Sequence, residues 1–189
     1  MNAPYNRQYS IALLSHYIAA LENADRFSIS NLVMFNGEKQ GLFKRLQHDV
    51  AEAPTKTHLV YLSRELSGSQ HLHAVALSID PSTRAISFQD PYGTKADAEM
   101  REALEKTFPG FSFTDSAGQQ QYDATSCAVI TVDNLVRMAR GIPLQERPDV
   151  AALCAAHARD LDPATILTPK QANPFVPRDR SRKFDITSC

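Results

Sequence analysis

The stretch at residues 121–127, QYDATSC, runs directly into an apolar segment at residues 128–138, AVITVDNLVRM. Thr125 and Ser126 are residue types that often begin helices, and the apolar residues after them are spaced as in a helix. We therefore expect Cys127 to lie in the first turn of a helix. Free N–H groups and the positive end of the helix dipole stabilise negative charge at such a position, and thus favour a thiolate. The segment predicts a reactive sulfur, whose partners must come from other parts of the chain.

The composition of the chain is that of one globular domain. Its 189 residues are 43% hydrophobic and 22% charged, which is enough apolar material for a core of ordinary size. The net charge of −1 gives no electrostatic basis for binding nucleic acid. No apolar run is as long as a membrane span requires, and residues 1–30 lack the pattern of a secretory signal. We expect a monomer with no nucleic-acid partner and no membrane span.

The chain has three cysteines, Cys127, Cys154 and Cys189. Because their number is odd and they are far apart in sequence, we interpret them as thiols in a reducing compartment. Cys154, on an alanine-rich segment, is expected to be a small core residue. A metal pair formed by His71 and His73 is conceivable, but no third strong ligand follows at the spacing of a metal site, so no metal is expected.

Hydrophobic periodicity predicts an α+β domain. In addition to the helix that begins near Cys127, helical spacing occurs at residues 10–23, 39–53, 95–108 and 148–159. Strand-like runs occur at residues 57–62, 72–80, 84–90 and 111–114. We expect a small mixed or antiparallel sheet flanked by helices, with the helix of Cys127 packed across it.

These elements divide the chain into one domain, residues 1–161, and a tail, residues 162–189. The domain is expected to comprise, in order, a helical part at residues 10–53, a core at residues 57–140 and a helix at residues 148–159. The tail is rich in proline and contains a basic run at residues 178–183, so we expect it to wrap the domain or to be partly disordered.

A hairpin within residues 72–90 brings a histidine and an aspartate together. If the turn at residues 80–83 closes it symmetrically, the facing pairs are Val75 with Phe88, Leu77 with Ile86, and His73 with Asp90. The two apolar pairs support this register. A hydrogen bond between His73 and Asp90 would fix the histidine tautomer and favour the imidazolium. Together with Cys127, these residues have the composition of a nucleophile, its base and the group that orients the base.

The same residues carry a family resemblance. The segment HAVALSID at residues 73–80 is followed by FQDPYG at residues 88–93, and Gln121 precedes Cys127 by six positions. This order and spacing resemble the papain-like, CE-clan cysteine peptidases that process SUMO, NEDD8 and ubiquitin, together with their bacterial effector relatives. The resemblance extends over residues 57–140 and implies the papain-like (CE-clan) cysteine peptidase fold.

The resemblance implies a cysteine protease that cleaves ubiquitin or a ubiquitin-like modifier after its C-terminal glycine and needs no cofactor. Cys127 would be the nucleophile, His73 its base, and Asp90 the residue that orients the base. The oxyanion would be held by the side-chain amide of Gln121 and the backbone N–H of Cys127. The protein would be a bacterial effector that acts in the cytoplasm of a host cell.

Substrate-binding residues are expected where the family confines a Gly-Gly tail beneath an aromatic ring. The family usually has Trp after the histidine, and this chain has Ala74 there and no Trp at all. The ring must then come from Tyr92, just past Asp90, or from Tyr122, just past Gln121. We favour Tyr122, because it lies between the oxyanion donor and the nucleophile helix. Packing of either ring against the domain is the alternative.

Two further functions are compatible with these motifs. The family usually has Asp before the cysteine and Gly after it, where this chain has Ser126 and Ala128. A related branch with the same fold consists of bacterial Ser/Thr/Lys acetyltransferases that use acetyl-CoA, and the basic tail could supply part of their inositol-phosphate site. The other alternative is a catalytically inactive binding module of this fold.

Overall fold

One mixed sheet forms the centre of the computed structural model, which describes residues 7–34, 39–65 and 72–162. Within these ranges the sheet has five strands: β1 (Phe27–Met34), β2 (Thr57–Glu65), β3 (Leu72–Asp80), β4 (Ala85–Gln89) and β5 (Ser112–Thr114). They are hydrogen-bonded in chain order. The pairs β1–β2 and β4–β5 are parallel, and β2–β3 and β3–β4 are antiparallel. The predicted α+β class with a small mixed sheet is confirmed.

Helices cover the sheet and supply its parallel connections. They are α1 (Arg7–Ala19), α2 (Lys39–Glu52), α3 (Ala98–Thr107), α4 (Cys127–Arg140) and α5 (Val150–Asp160), with a short 3₁₀ turn at Ala24–Arg26. Helix α2 is the crossover between β1 and β2, and α3 is the crossover between β4 and β5. None of the helices in the described ranges is long and apolar enough to cross a membrane.

Both faces of the sheet are buried, which explains the nearly continuous apolar sequence of β3. Ala74 and Ala76 face the cluster formed with α1 and α4, and Val75 and Leu77 face the cluster formed with α2 and α3. The predicted packing of the Cys127 helix across the sheet is present, because α4 contacts both β3 and β2. Small side chains at positions 74 and 76 let this helix approach the strand closely.

Two strands differ from the sequence-based expectation. Strand β1 was not predicted, since it lies at an edge of the sheet and its first five residues are only partly buried, which leaves no period of two in the sequence. Strand β2 continues to Glu65, three residues beyond its predicted end at Leu62. Predicted features at residues 1–6, 35–38, 66–71 and 163–189, including His71, Cys189 and the basic tail, lie outside the described residues.

The predicted register of the β3–β4 hairpin is wrong by two residues. Leu77 pairs with Phe88 and Ile79 with Ile86, because four residues, 81–84, lie between the paired ends Asp80 and Ala85, where the prediction had two between Asp80 and Thr83. The additional turn residues are Thr83 and Arg84. Arg84 has a left-handed backbone conformation with φ of 53° and therefore cannot continue the strand. A shift by two residues keeps every side chain on its predicted face of the sheet.

The conformation of Arg84 predicts an unusual order of stability for two substitutions. Arg84→Gly and Arg84→Ala both lose the hydrogen bond from the guanidinium Nη2 to the carbonyl of Pro109 (2.9 Å). Only alanine has a Cβ that opposes the left-handed conformation, so Arg84→Gly should be the more stable variant by about 0.5–1 kcal/mol in urea unfolding. At Thr83, where φ is not positive, the alanine variant should be the more stable one. An alanine variant at position 84 that equals or exceeds the glycine variant would contradict this reading of the turn.

Candidate active site

A histidine and an aspartate are hydrogen-bonded at one end of the sheet. His73 is the second residue of β3, and Asp90 directly follows β4. The imidazole Nε2 donates to the Asp90 Oδ1 over 2.7 Å, and the two residues are only 2% and 1% exposed. The predicted contact is therefore present despite the register error. The two side chains meet diagonally across the strand pair, on the same face, instead of directly opposite each other.

The sulfur of Cys127 contacts the same imidazole. Cys127 is half-buried at the first position of α4, as predicted, and its side chain is hydrogen-bonded to His73. Since Nε2 is used by Asp90, Nδ1 is the ring atom that remains for the sulfur. Burial alone would lower the pKa of His73, but the hydrogen bonds to Asp90 and Cys127 outweigh it and raise that pKa above its usual value.

The start of α4 is held by a residue that the sequence reasoning did not single out. Ser126 is the N-cap residue, but its side chain makes no capping hydrogen bond. The carboxylate of Asp123 instead accepts the backbone N–H groups of Thr125 and Ser126, each over 2.7 Å, and the Ser126 hydroxyl over 2.8 Å. Ser126 therefore lies at the expected N-cap position, but the contacts that order this position come from Asp123. Asp123 orders the loop, and the N–H of Cys127 is left among those at the helix start that have no partner within the helix.

The carboxylate of Asp90 accepts four donors although it is almost fully buried. Besides His73, it receives the Arg64 Nη2 at 2.6 Å on Oδ2, the Thr94 hydroxyl on Oδ2, and the Tyr92 backbone N–H at 2.8 Å on Oδ1. Burial would raise the pKa of Asp90, but the hydrogen bonds, led by that of His73, lower it below the usual range. The group is therefore a carboxylate at neutral pH.

Arg64 was missed because the predicted β2 strand ended before it. In the longer β2 strand, Arg64 lies directly opposite His73. The only available signal was a cationic residue two positions past a strand-like run, which is common at strand ends on protein surfaces. Its role became visible only from the register of β2 and β3.

Of the three neighbouring glutamines, Gln121 and Gln120 are buried and have different roles. Gln120 exchanges two side-chain hydrogen bonds with Asn134 of α4, at 3.0 and 2.7 Å, and so ties its loop to the helix. The Gln121 side-chain amide donates to the carbonyl of Asp123 over 2.8 Å. That bond uses one of the two amide hydrogens and leaves the second for a ligand. The side chain of Gln121 is thus hydrogen-bonded to the loop that precedes Cys127, whereas that of Gln120 is hydrogen-bonded to α4.

Tyr92 lies against the catalytic candidates, whereas Tyr122 lies on the surface. The rings of Tyr92 and His73 are stacked, with centroids 4.7 Å apart and an angle of 20° between their planes. The Tyr92 hydroxyl donates to the carbonyl of Asp123 over 3.2 Å. Tyr122 is 66% exposed, and the guanidinium carbon of Arg147 lies 6.0 Å from its ring centroid. The preference for Tyr122 as a substrate-binding residue stays a prediction, and Tyr92 is the ring in contact with His73.

Ala74 is buried, with only 4% of its surface exposed, and packs in the cluster beneath α1 and α4. Its assignment as a substrate-binding residue stays a prediction. Cys154 is half-buried and packs against the same cluster. Among the residues that the structure describes, no three His, Cys, Asp or Glu side chains are grouped as metal ligands.

Comparison with known proteins shows the fold. No family model and no curated protein sequence matches the chain. The C-terminal protease domain of yeast Ulp1, solved in complex with Smt3, the yeast ortholog of SUMO, is similar with a TM-score of 0.54 and 13% identity, over 81% of this chain and 75% of that chain. The chain has the fold of the Ulp1-like SUMO proteases.

Two further solved structures are similar. The catalytic domain of the Chaetomium thermophilum Ulp1-like SUMO protease matches with a TM-score of 0.50 and 20% identity, over 85% of this chain and 68% of that chain. The Rickettsia bellii effector RickCE matches with a TM-score of 0.47 and 21% identity, over 64% of this chain. The chain spans half the length of the RickCE chain.

The lowered pKa of Asp90 predicts how stability depends on pH. Asp90→Asn keeps one acceptor but places an N–H₂ group against a donor, and should cost about 2–3 kcal/mol in urea unfolding at pH 7. Because the folded pKa lies below the unfolded one, the stability due to ionised Asp90 is present above the ordinary pKa and is lost as the pH falls through the folded pKa. Because Asp90 also raises the pKa of His73, the difference between the two proteins should be at least as large at pH 5 as at pH 7, and it should be smaller at pH 3 than at pH 5. A difference that is constant down to pH 3 would contradict the assigned pKa direction.

Gly93 lies where the Asp90 loop meets the Gln121 loop, so a substitution at this position should disturb both loops. The backbone N–H groups of Gln120 and Gln121 both donate to the carbonyl of Pro91, at 2.8 and 2.7 Å. A Cβ on Gly93 would lie 2.6 Å from the backbone nitrogen of Gln119, and its φ is 75°. Gly93→Ala should therefore cost about 2–3 kcal/mol in urea unfolding and slow alkylation of the Cys127 thiol.

Gly141→Ala is the matched control for Gly93→Ala. Gly141 has a similar φ of 64°, but a Cβ there would meet nothing within 4 Å. This variant should cost only the conformational term, about 1 kcal/mol, and leave thiol alkylation unchanged. Equal losses of stability in the two variants would show that the loop junction is not tightly packed.

Proposed function

We propose that the chain is a cysteine protease that cleaves ubiquitin or a ubiquitin-like modifier after its C-terminal glycine. The observation that carries the proposal is the continuous contact from the Cys127 sulfur through the His73 imidazole to the buried Asp90 carboxylate. A thiol at a helix start, a base in contact with it and a carboxylate that orients the base are the parts that thiol acyl transfer requires. The fold shared with Ulp1-like SUMO proteases supports the same reaction class.

Each of these residues then has a step in the reaction. His73 takes the proton of Cys127, and the Asp90 carboxylate stabilises the resulting imidazolium. The thiolate attacks the carbonyl carbon of the terminal glycine, and the imidazolium gives its proton to the departing amine as the C–N bond breaks. Water, deprotonated by His73, then attacks the thioester, releases the modifier as a free carboxylate and restores the thiol.

The negative charge on the attacked oxygen needs donors that are fixed before the reaction. The backbone N–H of Cys127 and the second amide hydrogen of Gln121 are suited to this role, because the first bond of that amide, to the carbonyl of Asp123, fixes its orientation. The Tyr92 ring is stacked on the His73 imidazole and restrains the plane of that ring. We assign Gln121 and Cys127 as the oxyanion donors.

The partner class in the proposal comes from the fold neighbours. The yeast Ulp1 domain was solved with Smt3 bound, which supports a ubiquitin-like protein as the substrate of this chain as well. The expectation that the chain is a bacterial effector in a host cytoplasm stays a prediction.

A panel of electrophilic probes tests the proposal. Ubiquitin, SUMO and NEDD8, each with an electrophile in place of the C-terminal carboxylate, are incubated separately with the protein, and the labelled residue is identified by mass spectrometry. At least one probe should label Cys127. Acetylation of Cys127 by acetyl-CoA without labelling by any modifier probe would instead indicate an acetyltransferase. Slow alkylation of Cys127 at pH 6 that does not depend on His73 would indicate an inactive binding module.

Substitutions within the set Cys127, His73 and Asp90 test which side chains the probe labelling requires. Cys127→Ala and His73→Ala should reduce labelling and turnover by at least about a thousandfold. Cys127→Ala should keep the urea midpoint close to that of the wild type, because it removes only one half-buried sulfur. Cys154→Ala is the control, since it removes the other cysteine in the described ranges and should be labelled like the wild type. Turnover in Cys127→Ala would show that the nucleophile is misassigned.

A further inference from the structure

Arg64 and His73 both donate hydrogen bonds to the carboxylate of Asp90, each to a different oxygen. The two residues are direct partners across the β2–β3 pair. The Arg64 Nη2 donates to the Asp90 Oδ2 over 2.6 Å, while the His73 Nε2 donates to Oδ1 over 2.7 Å. The Arg64 side chain is only 12% exposed, so its charge is weakly screened by solvent. When His73 is protonated, two cations share a single buried anion.

Among the residues that the structure describes, few other charged groups take part in this arrangement. Asp97, the N-cap residue of α3, lies 3.9 Å from the Arg64 Nη1 and is about half exposed, so it holds the far side of the guanidinium weakly. Within the described ranges, the charged or ionisable groups in contact with the His73 imidazole are Asp90, the Cys127 thiol and the Tyr92 phenol ring. Burial, followed by the nearby Cys127, raises the pKa of Tyr92, so that ring is neutral near pH 7.

We propose that Arg64 is a positioning residue that both orders the Asp90 carboxylate and limits how strongly that carboxylate holds the His73 imidazolium. This inference rests on the proposed function, since it assigns a role in the same proton transfer. Arg64 and the Thr94 hydroxyl occupy the oxygen of Asp90 that the imidazole does not use, and so they help to keep the carboxylate turned toward His73. Its positive charge also offsets part of the attraction between Asp90 and the imidazolium. His73 therefore returns its proton to the leaving amine more easily than it would if Asp90 had no second cation beside it.

Removal of the guanidinium charge should move the titration of His73 in a defined direction. With Arg64→Met or Arg64→Gln, the imidazolium loses a neighbouring positive charge and is stabilised by an unshared carboxylate, so His73 should stay protonated to higher pH. Arg64→Lys keeps the charge but cannot reproduce the planar fork, so its effect should have the same sign and be smaller. The expected order of the His73 titration midpoint is wild type, then Arg64→Lys, then the two neutral variants.

The experiment measures His73 directly and uses no protein substrate. The imidazole carbon–proton NMR signal of His73 and the upper inflection of the pH dependence of Cys127 alkylation by iodoacetamide are recorded for the wild type and the three variants. Failure of the proposed function would appear separately, as an absence of labelling by every modifier probe.

Arg101→Met is the matched control. Arg101 forms a similar pair with Asp115 and lies over the ring of Phe113, with its guanidinium carbon 4.3 Å from the ring centroid, but it contacts none of the residues assigned to the reaction. It should leave the His73 titration unchanged. A midpoint in Arg64→Met that equals or falls below that of the wild type, or an equal shift in Arg101→Met, overturns the proposal. If neither neutral variant folds, Arg64→Lys decides, because a midpoint at or below the wild-type value contradicts the expected order.

Discussion

A buried carboxylate needs hydrogen-bond donors, and the site of this protein is arranged around that requirement at Asp90. An ionised carboxylate that has lost its water must be compensated by donors from the protein, or it takes up a proton. Asp90 meets this condition with donors from strand β2, strand β3 and its own loop. The same bonds that keep the group ionised therefore fix three segments of backbone relative to each other. Stability of the fold and geometry of the site depend on one ionised group.

A second set of contacts fixes the loop that presents the sulfur. The carboxylate of Asp123 orders the backbone before α4, while its carbonyl accepts both the Gln121 amide and the Tyr92 hydroxyl. Because Tyr92 also stacks on His73, this carbonyl connects the His73–Asp90 pair with Gln121 and with the helix of Cys127. The loops that make these contacts are adjacent in the fold, although Tyr92 and Asp123 are 31 positions apart in the chain, so a change in one loop affects the other directly.

The chemistry of the site was predictable from the sequence, and its supporting contacts were not. His73, Asp90 and Cys127 could be found because a helix start, a hairpin and the order of the three residues are local patterns. The register error did not change which face of the sheet each side chain occupies, because side chains in a strand alternate with a period of two and the error was two residues. The edge strand β1 and Arg64 were missed for another reason. Their roles depend on which strands are neighbours and how they are aligned, and a single sequence does not carry that information.

The order of the strands also determines when the parts of the site can form. Arg64, His73 and Asp90 lie on or directly after three strands that follow one another in the chain, and the two bonds to Asp90 join residues 26 and 17 positions apart. Contacts at such separations cost less loop-closure entropy than contacts made across longer stretches of chain. The helix of Cys127 comes later, after α3 and β5 in the chain. During synthesis on a ribosome, Arg64, His73 and Asp90 therefore emerge before Cys127, and the thiol meets His73 only when α4 packs across β3.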